Sequence, residues 1–208
     1  MADVTKNGVV VSPSTGSGDT QLTLKAQKAN QGNRVQQVAK FTVRAQGGPS
    51  KILTANLQPA NEFVRFTNGT TQSVDKAGGV ITITGTSNST KLTFTKGSGE
   101  IIGADISSIE YQAAGKTTTN GQAIDGDPGA SASYNFTLTL NASANETVGT
   151  RSQQIIVKAN STSVTATITL NQTAGDPTLE INPTTITVPQ DGSEVTVQVT
   201  TNTTFTVS

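Results

Sequence analysis

The sequence predicts an all-β chain of tandem β-sandwiches, and three observations carry that prediction. The first is composition. The 208 residues include 37 Thr, 18 Ser and 20 Gly, with 14 basic and 14 acidic side chains. Thr is β-branched and suits the solvated face of a strand. Zero net charge leaves little self-repulsion to hold the chain open. The second is alternation: apolar residues recur at every second position, which puts them on one face and Thr on the other. The third is punctuation. Gly47-Gly48-Pro49, Gly78-Gly79, Asp125-Gly126-Asp127-Pro128-Gly129 and Gly175-Asp176-Pro177 cut the chain into short runs.

In chain order, Leu22-Thr23-Leu24 is the first alternating run, followed by Phe41 and Val43, and a further strand closes at Leu57. Ile81 and Ile83 alternate after Gly78-Gly79. Residues 102–113 carry two patterns. Ile102, Ile106, Ile109 and Ala113 sit at helical spacing, while Ile109, Tyr111 and Ala113 sit at strand spacing. Gly103 and Gly115 bracket the stretch and Ser107-Ser108 helps a helix little, so a strand is favoured. Phe136, Leu138 and Leu140 then alternate with Thr137 and Thr139, and Ile168 and Leu170 with Thr167 and Thr169. The apolar members are expected inside and the Thr members outside. Val195, Val197 and Val199 alternate with Thr196 and Gln198 near the end.

The chain also repeats itself. Leu22-Thr23-Leu24-x-Ala26 recurs as Leu138-Thr139-Leu140-x-Ala142, and Asn30 as Asn145. Arg34-x-Gln36-Gln37 recurs as Arg151-x-Gln153-Gln154, and Phe41-x-Val43 as Ile155-x-Val157. Gly78, Ile81, Ile83 and Asn88 recur as Gly192, Val195, Val197 and Asn202. The offset stays near 114 residues. Residues 61–174 form one whole unit. Residues 1–60 hold the second half of a unit, and residues 175–208 the first half. Neither half has the size at which a single core is comfortably stable.

The chemistry available is narrow. The sequence has no His and no Cys, which removes imidazole bases, thiol nucleophiles, disulfides and zinc sites built on those ligands. Balanced charge lacks the basic stripe of a nucleic-acid groove, and no apolar run nears the ~20 residues of a membrane span. Met1 to Lys6 do not open a secretory signal, so the chain is expected to be made and kept in a cytoplasm. Glu100, Asp105 and Glu110 are close in sequence, but nothing pairs two carboxylates across a cleft as glycoside hydrolysis requires. No enzyme, catalytic residue or cofactor is expected. Asp125 and Asp127 are the candidate metal ligands. Calcium wants about six to eight oxygens and no third acid follows at loop spacing, so a plain turn is the simpler reading. Eight Asn-x-Ser/Thr triplets follow from the abundance of Thr and carry no meaning for glycosylation here. Arg34 and Arg151 are read as a rim salt bridge or a loop hydrogen bond. Phe41, Phe66, Phe94, Phe136 and Phe205 occupy apolar strand positions and are expected in the core. Tyr111 is the ring best placed for exposure, with Tyr134 next.

The last 34 residues carry a resemblance. They read Leu179-Glu180-Ile181-Asn182-Pro183, Ile186-Thr187-Val188, Gly192, Val195-Thr196-Val197, Asn202 and Phe205-Thr206-Val207. This resembles the opening of a BACON domain, an immunoglobulin-like sandwich of Bacteroidales proteins and their phages. That opening carries an Asn followed by an aromatic, often Trp; Asn202 and Phe205 take those places. The family's closing strand often ends Gln-x-Ala, as Gln172-Thr173-Ala174 does. The resemblance covers residues 61–208 well and 1–60 more weakly. It implies tandem immunoglobulin-like sandwiches and two functional classes. One is glycan binding, proposed for BACON modules of secreted enzymes; here Tyr111 would be the contact. The other is a virion protein, as in crAss-like phages. The opening residues favour the second: a non-enzymatic auxiliary or decoration capsid protein, or a head-fibre base, localised to the virion. Its partners would be the major capsid protein or other virion proteins, with self-association, and neither nucleic acid nor membrane. Self-association would use strand complementation, in which Ile181, Val195, Val197 and Phe205 of one chain cover Leu22, Leu24, Phe41 and Val43 of another. Alternatively, residues 1–60 form a smaller sandwich and the tail packs on its own chain.

Overall fold

A computed structural model describes residues 3–111, 115–161 and 163–208. Strands β1 (Val4–Lys6) and β2 (Val9–Ser12) form a hairpin across Asn7-Gly8. Both turn residues have positive φ, the conformation a two-residue hairpin needs and Asn-Gly tolerates. β2 also pairs with β3 (Thr23–Ala26), antiparallel. β4 (Gln36–Arg44) and β5 (Ser50–Leu57) make a separate ladder. Val9, Val11, Ala39, Phe41 and Ala55 form the small core between these two sheets.

Residues 61–174 build two larger sheets. β6 (Val64–Phe66), β8 (Gly79–Ser87), β10 (Ser108–Tyr111), β11 (Lys116–Thr119) and β12 (Tyr134–Ala142) form one, in the order β11-β10-β12-β8-β6. β7 (Thr71–Val74), β9 (Thr93–Lys96), β13 (Arg151–Lys158) and β14 (Thr165–Gln172) form the other, in the order β7-β14-β13-β9. β6 and β7 are consecutive yet lie in opposite sheets, and β7 pairs parallel with β14. With β6-β8-β12-β10 facing β9-β13-β14, this is the A-B-E-D against C-F-G layout of an immunoglobulin sandwich. The fold is all-β, with immunoglobulin-like units in tandem.

The period-2 reading holds on β12 and β14. Phe136, Leu138, Ile168 and Leu170 are fully buried and Leu140 nearly so, while Thr139 and Thr167 are exposed and Thr137 and Thr169 half-buried. Each such buried side chain contributes about 1.5–3 kcal/mol relative to exposure. Phe66, Phe94 and Phe136 meet at ring-centroid distances of 5.4–6.5 Å. The ambiguous stretch contains strand β10, as favoured; Ala113 lies outside the described residues. Ile102 forms a bridge with Ala142.

The tail contributes β15 (Leu179–Asn182) and β16 (Gln198–Thr201), paired antiparallel. Here one expectation fails: Phe205 is not in a core but 51% exposed. Among the described residues the tail hairpin is a two-stranded sheet, and its apolar positions are exposed or at most half-buried. The repeat also needs a register correction. Gln36 faces Leu57 and Arg151 faces Gln172 at corresponding ends of β4 and β13. Arg151 therefore corresponds to Gln36, not Arg34. An irregularity between Gln37 and Ala39 adds one residue and brings Phe41 back opposite Ile155's place.

Candidate functional site

The residues that distinguish this chain from a plain run of sandwiches lie where one unit meets the next. Asn30 makes the first link. Its Oδ1 accepts from Gly32 N–H at 2.8 Å, and its Nδ2 donates to the carbonyls of Arg34 at 2.7 Å and Gln58 at 3.0 Å. This side-chain turn ties the β3–β4 connection to the end of β5. Asn88, fully buried after β8, makes the second. Its Nδ2 donates to the carbonyls of Gln31 at 3.2 Å and Asn61 at 3.1 Å, and its Oδ1 accepts from Phe63 N–H at 2.9 Å. One amide thus fixes the first unit's loop and the second unit's entry strand together.

The same two devices recur at the far end of the middle unit. Asn145 Oδ1 accepts from Thr147 N–H, and its Nδ2 donates to the carbonyls of Gly149 and Thr173. Asn202 Nδ2 donates to the carbonyls of Glu146 and Asp176, and its Oδ1 accepts from Thr178 N–H. The backbone bond from Ala60 to Gly32 is likewise matched by that from Gly175 to Thr147. Donor for donor, the two junctions are one structure used twice.

The first junction has a further part. Residues 125–131 dock on residues 33–36. Asn33 and Arg34 N–H groups donate to the carbonyls of Gly129 at 2.8 Å and Ala130 at 3.2 Å. Gln36 Nε2 donates to Ser131 O at 2.6 Å, and Asn33 Nδ2 to Asn88 O. Arg34 donates through Nε at 3.2 Å and Nη2 at 2.8 Å to Asp127 Oδ2. Gly32 and Gly129 allow this approach: a Cβ at either would strike the backbone of Ala130 or Asn88.

Asp125 and Asp127 are therefore engaged by basic side chains rather than gathered around a cation. Asp125 pairs with Lys116 at 2.8 Å, whose hydrogen bond and charge hold its carboxyl below the usual range. Asp127 pairs with Arg34. Among the described residues no three acids cluster where a metal could sit. The Asp-Gly-Asp-Pro-Gly loop forms a turn and also serves as a docking element.

Tyr111 corrects the expectation of an exposed ring. It is 1% exposed, packs edge-on against Tyr134 at 6.3 Å, and donates its hydroxyl to Asp125 O at 3.0 Å. Its strand position pointed inward; the hydroxyl was satisfied by a loop carbonyl that sequence could not place. Tyr134 is buried too, donating to Ser89 O at 2.8 Å. Arg34 makes the rim salt bridge, and Arg151 donates to the loop carbonyl of Ala144 and to Gln172 Oε1 on the paired strand β14. Ile181 and Val195 are exposed and Val197 half-buried; the tail's hydrogen bonds lead to the second junction, not to Leu22 or Leu24. Two of the clefts among the described residues lie on the middle unit. One, of about 330 Å³, is lined by Thr67, Thr84, Glu110 and Thr137. The other, of about 420 Å³, is lined by Ser73, Arg151, Asn171 and Gln172. Sequence reading found Asn30, Asn88, Asn145 and Asn202 as repeat landmarks but not their task.

No family model and no curated protein matches the sequence. Among solved structures, the chain is similar to an NMR structure of a protein from Bacteroides thetaiotaomicron, with 14% identity over 55% of this chain and 90% of that one, TM-score 0.28. It is also similar to domains 4–9 of the surface layer protein SbsC, with 15% identity over 88% of this chain and 31% of that one, TM-score 0.35. The fold assignment rests on the strand pairing above.

Proposed function

We propose that this chain is a non-enzymatic structural protein of a phage virion, an auxiliary or decoration protein of the capsid or the base of a head fibre. The observation that carries the reading is the repeated junction. Asn88 and Asn202 hold successive units in a fixed relation through the same hydrogen bonds. Such a chain acts by presenting sandwich faces and edges at set spacing, which suits covering seams between subunits. The resemblance to BACON modules of phage virion proteins supports the setting, and the lack of His and Cys supports a role without chemistry. The partners are the major capsid protein or other virion proteins. Glycan binding has lost its proposed platform, since the Tyr111 ring lies inside.

Mass spectrometry of gradient-purified particles of the parent phage tests this. The chain is expected at a copy number comparable to the capsid subunits or the fibres. Its absence from purified particles, or dose-dependent turnover of a polysaccharide abolished by an acid substitution, overturns the reading.

A further inference from the structure

Residues 3–60 and the tail carry complementary parts of the middle unit's sandwich: the tail hairpin β15–β16 has the pairing of β6 with β8, and the N-terminal unit has none of those strands. In the N-terminal unit, β3, β4 and β5 take the places of β12, β13 and β14, and the β2–β1 hairpin takes that of β10–β11. Among residues 3–60 no strand takes the places of β6, β7, β8 or β9. Three strand edges are consequently open: on β3, where β12 receives β8; on β5, where β14 receives β7; and on β4, where β13 receives β9. Phe41 is already buried in the small core, but the rest of the apolar face behind these edges is uncovered. Leu22 and Leu24 are each 38% exposed and Val43 is 47% exposed, whereas Leu138, Leu140 and Val157, at the same places in the whole unit, are buried.

The tail carries the missing set. Gly192 N–H bonds Pro189 O at positive φ, as Gly78 N–H bonds Asp75 O. Leu179 corresponds to Val64, Val195 to Ile81, and Phe205 and Val207 to Leu92 and Phe94. Every one of those counterparts is buried; the tail residues are 42–90% exposed. Charge agrees. Residues 1–60 contain seven basic and two acidic side chains, whereas residues 175–208 contain four acidic and no basic ones.

Within one chain the two cannot meet easily. The first junction lies at the Ser87 end of β8 and the second at the Gly79 end, with Ala142 opposite. Eight strand steps, roughly 26 Å, separate them, and the Asn202 clamp holds the tail at the far end. We infer that residues 178–207 of one copy insert into the open edges of the N-terminal unit of a second copy and complete its sandwich. The copies then join head to tail. Main-chain hydrogen bonds supply the affinity and alternate side chains fill the core. A heterologous contact of this kind extends into a chain or closes into a ring. The inference does not depend on which particle the protein belongs to.

The register is fixed by the whole unit. There Leu138 faces Ile83, Thr139 faces Thr82 and Leu140 faces Ile81. Thr23 of one copy therefore faces Thr196 of the next. The chain has no native cysteine, so the full-length double variant Thr23→Cys, Thr196→Cys reports that pairing alone. Mild oxidation should yield a ladder of dimers and higher species on a non-reducing gel, at least tenfold more than the register control Thr23→Cys, Thr200→Cys. A second measurement uses single variants of the full chain. Val197→Asp disables the donor and Leu24→Asp the acceptor; each should be monomeric by light scattering, and mixing them should give a one-to-one dimer that grows no further. Circular dichroism of each should keep the melting transition of the middle unit. Only intrachain cross-linking, no register-specific cross-linking, or a mixture that stays monomeric overturns the inference, including the case in which the edges are covered by other chain segments.

Discussion

Asn88 joins two units through one side chain. It is fully buried; two of its side-chain bonds hold residues 61–63 where they enter β6, and the third reaches Gln31 of the first unit. Asn88→Ala leaves the Gln31 and Asn61 carbonyls and the Phe63 N–H short of a partner. The expected loss is about 1–3 kcal/mol, read as a lower urea midpoint together with faster proteolysis between residues 58 and 63. Asn202→Ala, at a half-buried position, should cost less. Tyr134 gives a pH signature. Burial pushes its hydroxyl well above the ordinary tyrosine value, while its O–H donates to Ser89 O. The unfolded chain releases this proton once the pH passes about 10, and the folded chain retains it. Its stabilising contribution is therefore intact below about pH 10 and declines above it. Tyr134→Phe should lower stability by about 0.5–1.5 kcal/mol near neutrality and flatten the alkaline decline; urea midpoints of both proteins at pH 8 and pH 11 are the check. An equally steep decline in the variant would assign it to other groups.

At the scale of the element, β12 shows how cleanly a half-buried strand divides its residues. Leu138 is fully buried and Thr139, its neighbour, is exposed. Leu138→Ala should cost about 2–5 kcal/mol and Thr139→Ala no more than about 0.5 kcal/mol; thermal melts of the two variants compare them directly. Equal losses would mean the strand faces are wrongly assigned. Strands such as this were legible because a period of two leaves its mark on every residue. The 114-residue repeat was legible for a related reason, since corresponding core positions demand similar side chains. What was not legible lies off the ladders. Tyr111 looked like a surface ring because sequence cannot say that the Asp125 carbonyl waits to accept its hydroxyl. Arg34 and Arg151 were matched by letter, but that match needs three extra residues before Phe41 and the ladder has only one, near Val38. Asp127 looked like a lone turn acid because its partner Arg34 is 93 residues away. Long-range polar contacts leave no periodic trace, and the junction consists almost wholly of them.

At the scale of the whole molecule, the units differ in how much they bury. Among the described residues the middle unit gathers 22 buried hydrophobic residues in one cluster, whereas the N-terminal unit gathers five. The strong unit therefore sits between two weak ones, each attached to it by an asparagine clamp. The polar junctions set direction and spacing; the apolar cores set which piece persists alone.

The parallel pairing of β7 with β14 bears on how such an array carries load. The unit is entered through β6, which leads directly into β7, and left just after β14; β7 and β14 point the same way. Tension between the two junctions slides one along the other, so the bonds from Thr169 to Thr70 and from Thr173 to Val74 are strained together and cannot be peeled one by one. A hairpin such as β15–β16, pulled from its open end, opens rung by rung. Single-molecule stretching should give the middle unit a high, sharp rupture force that Gln72→Pro, within β7, lowers substantially. An unchanged rupture force in that variant would place the resistance elsewhere.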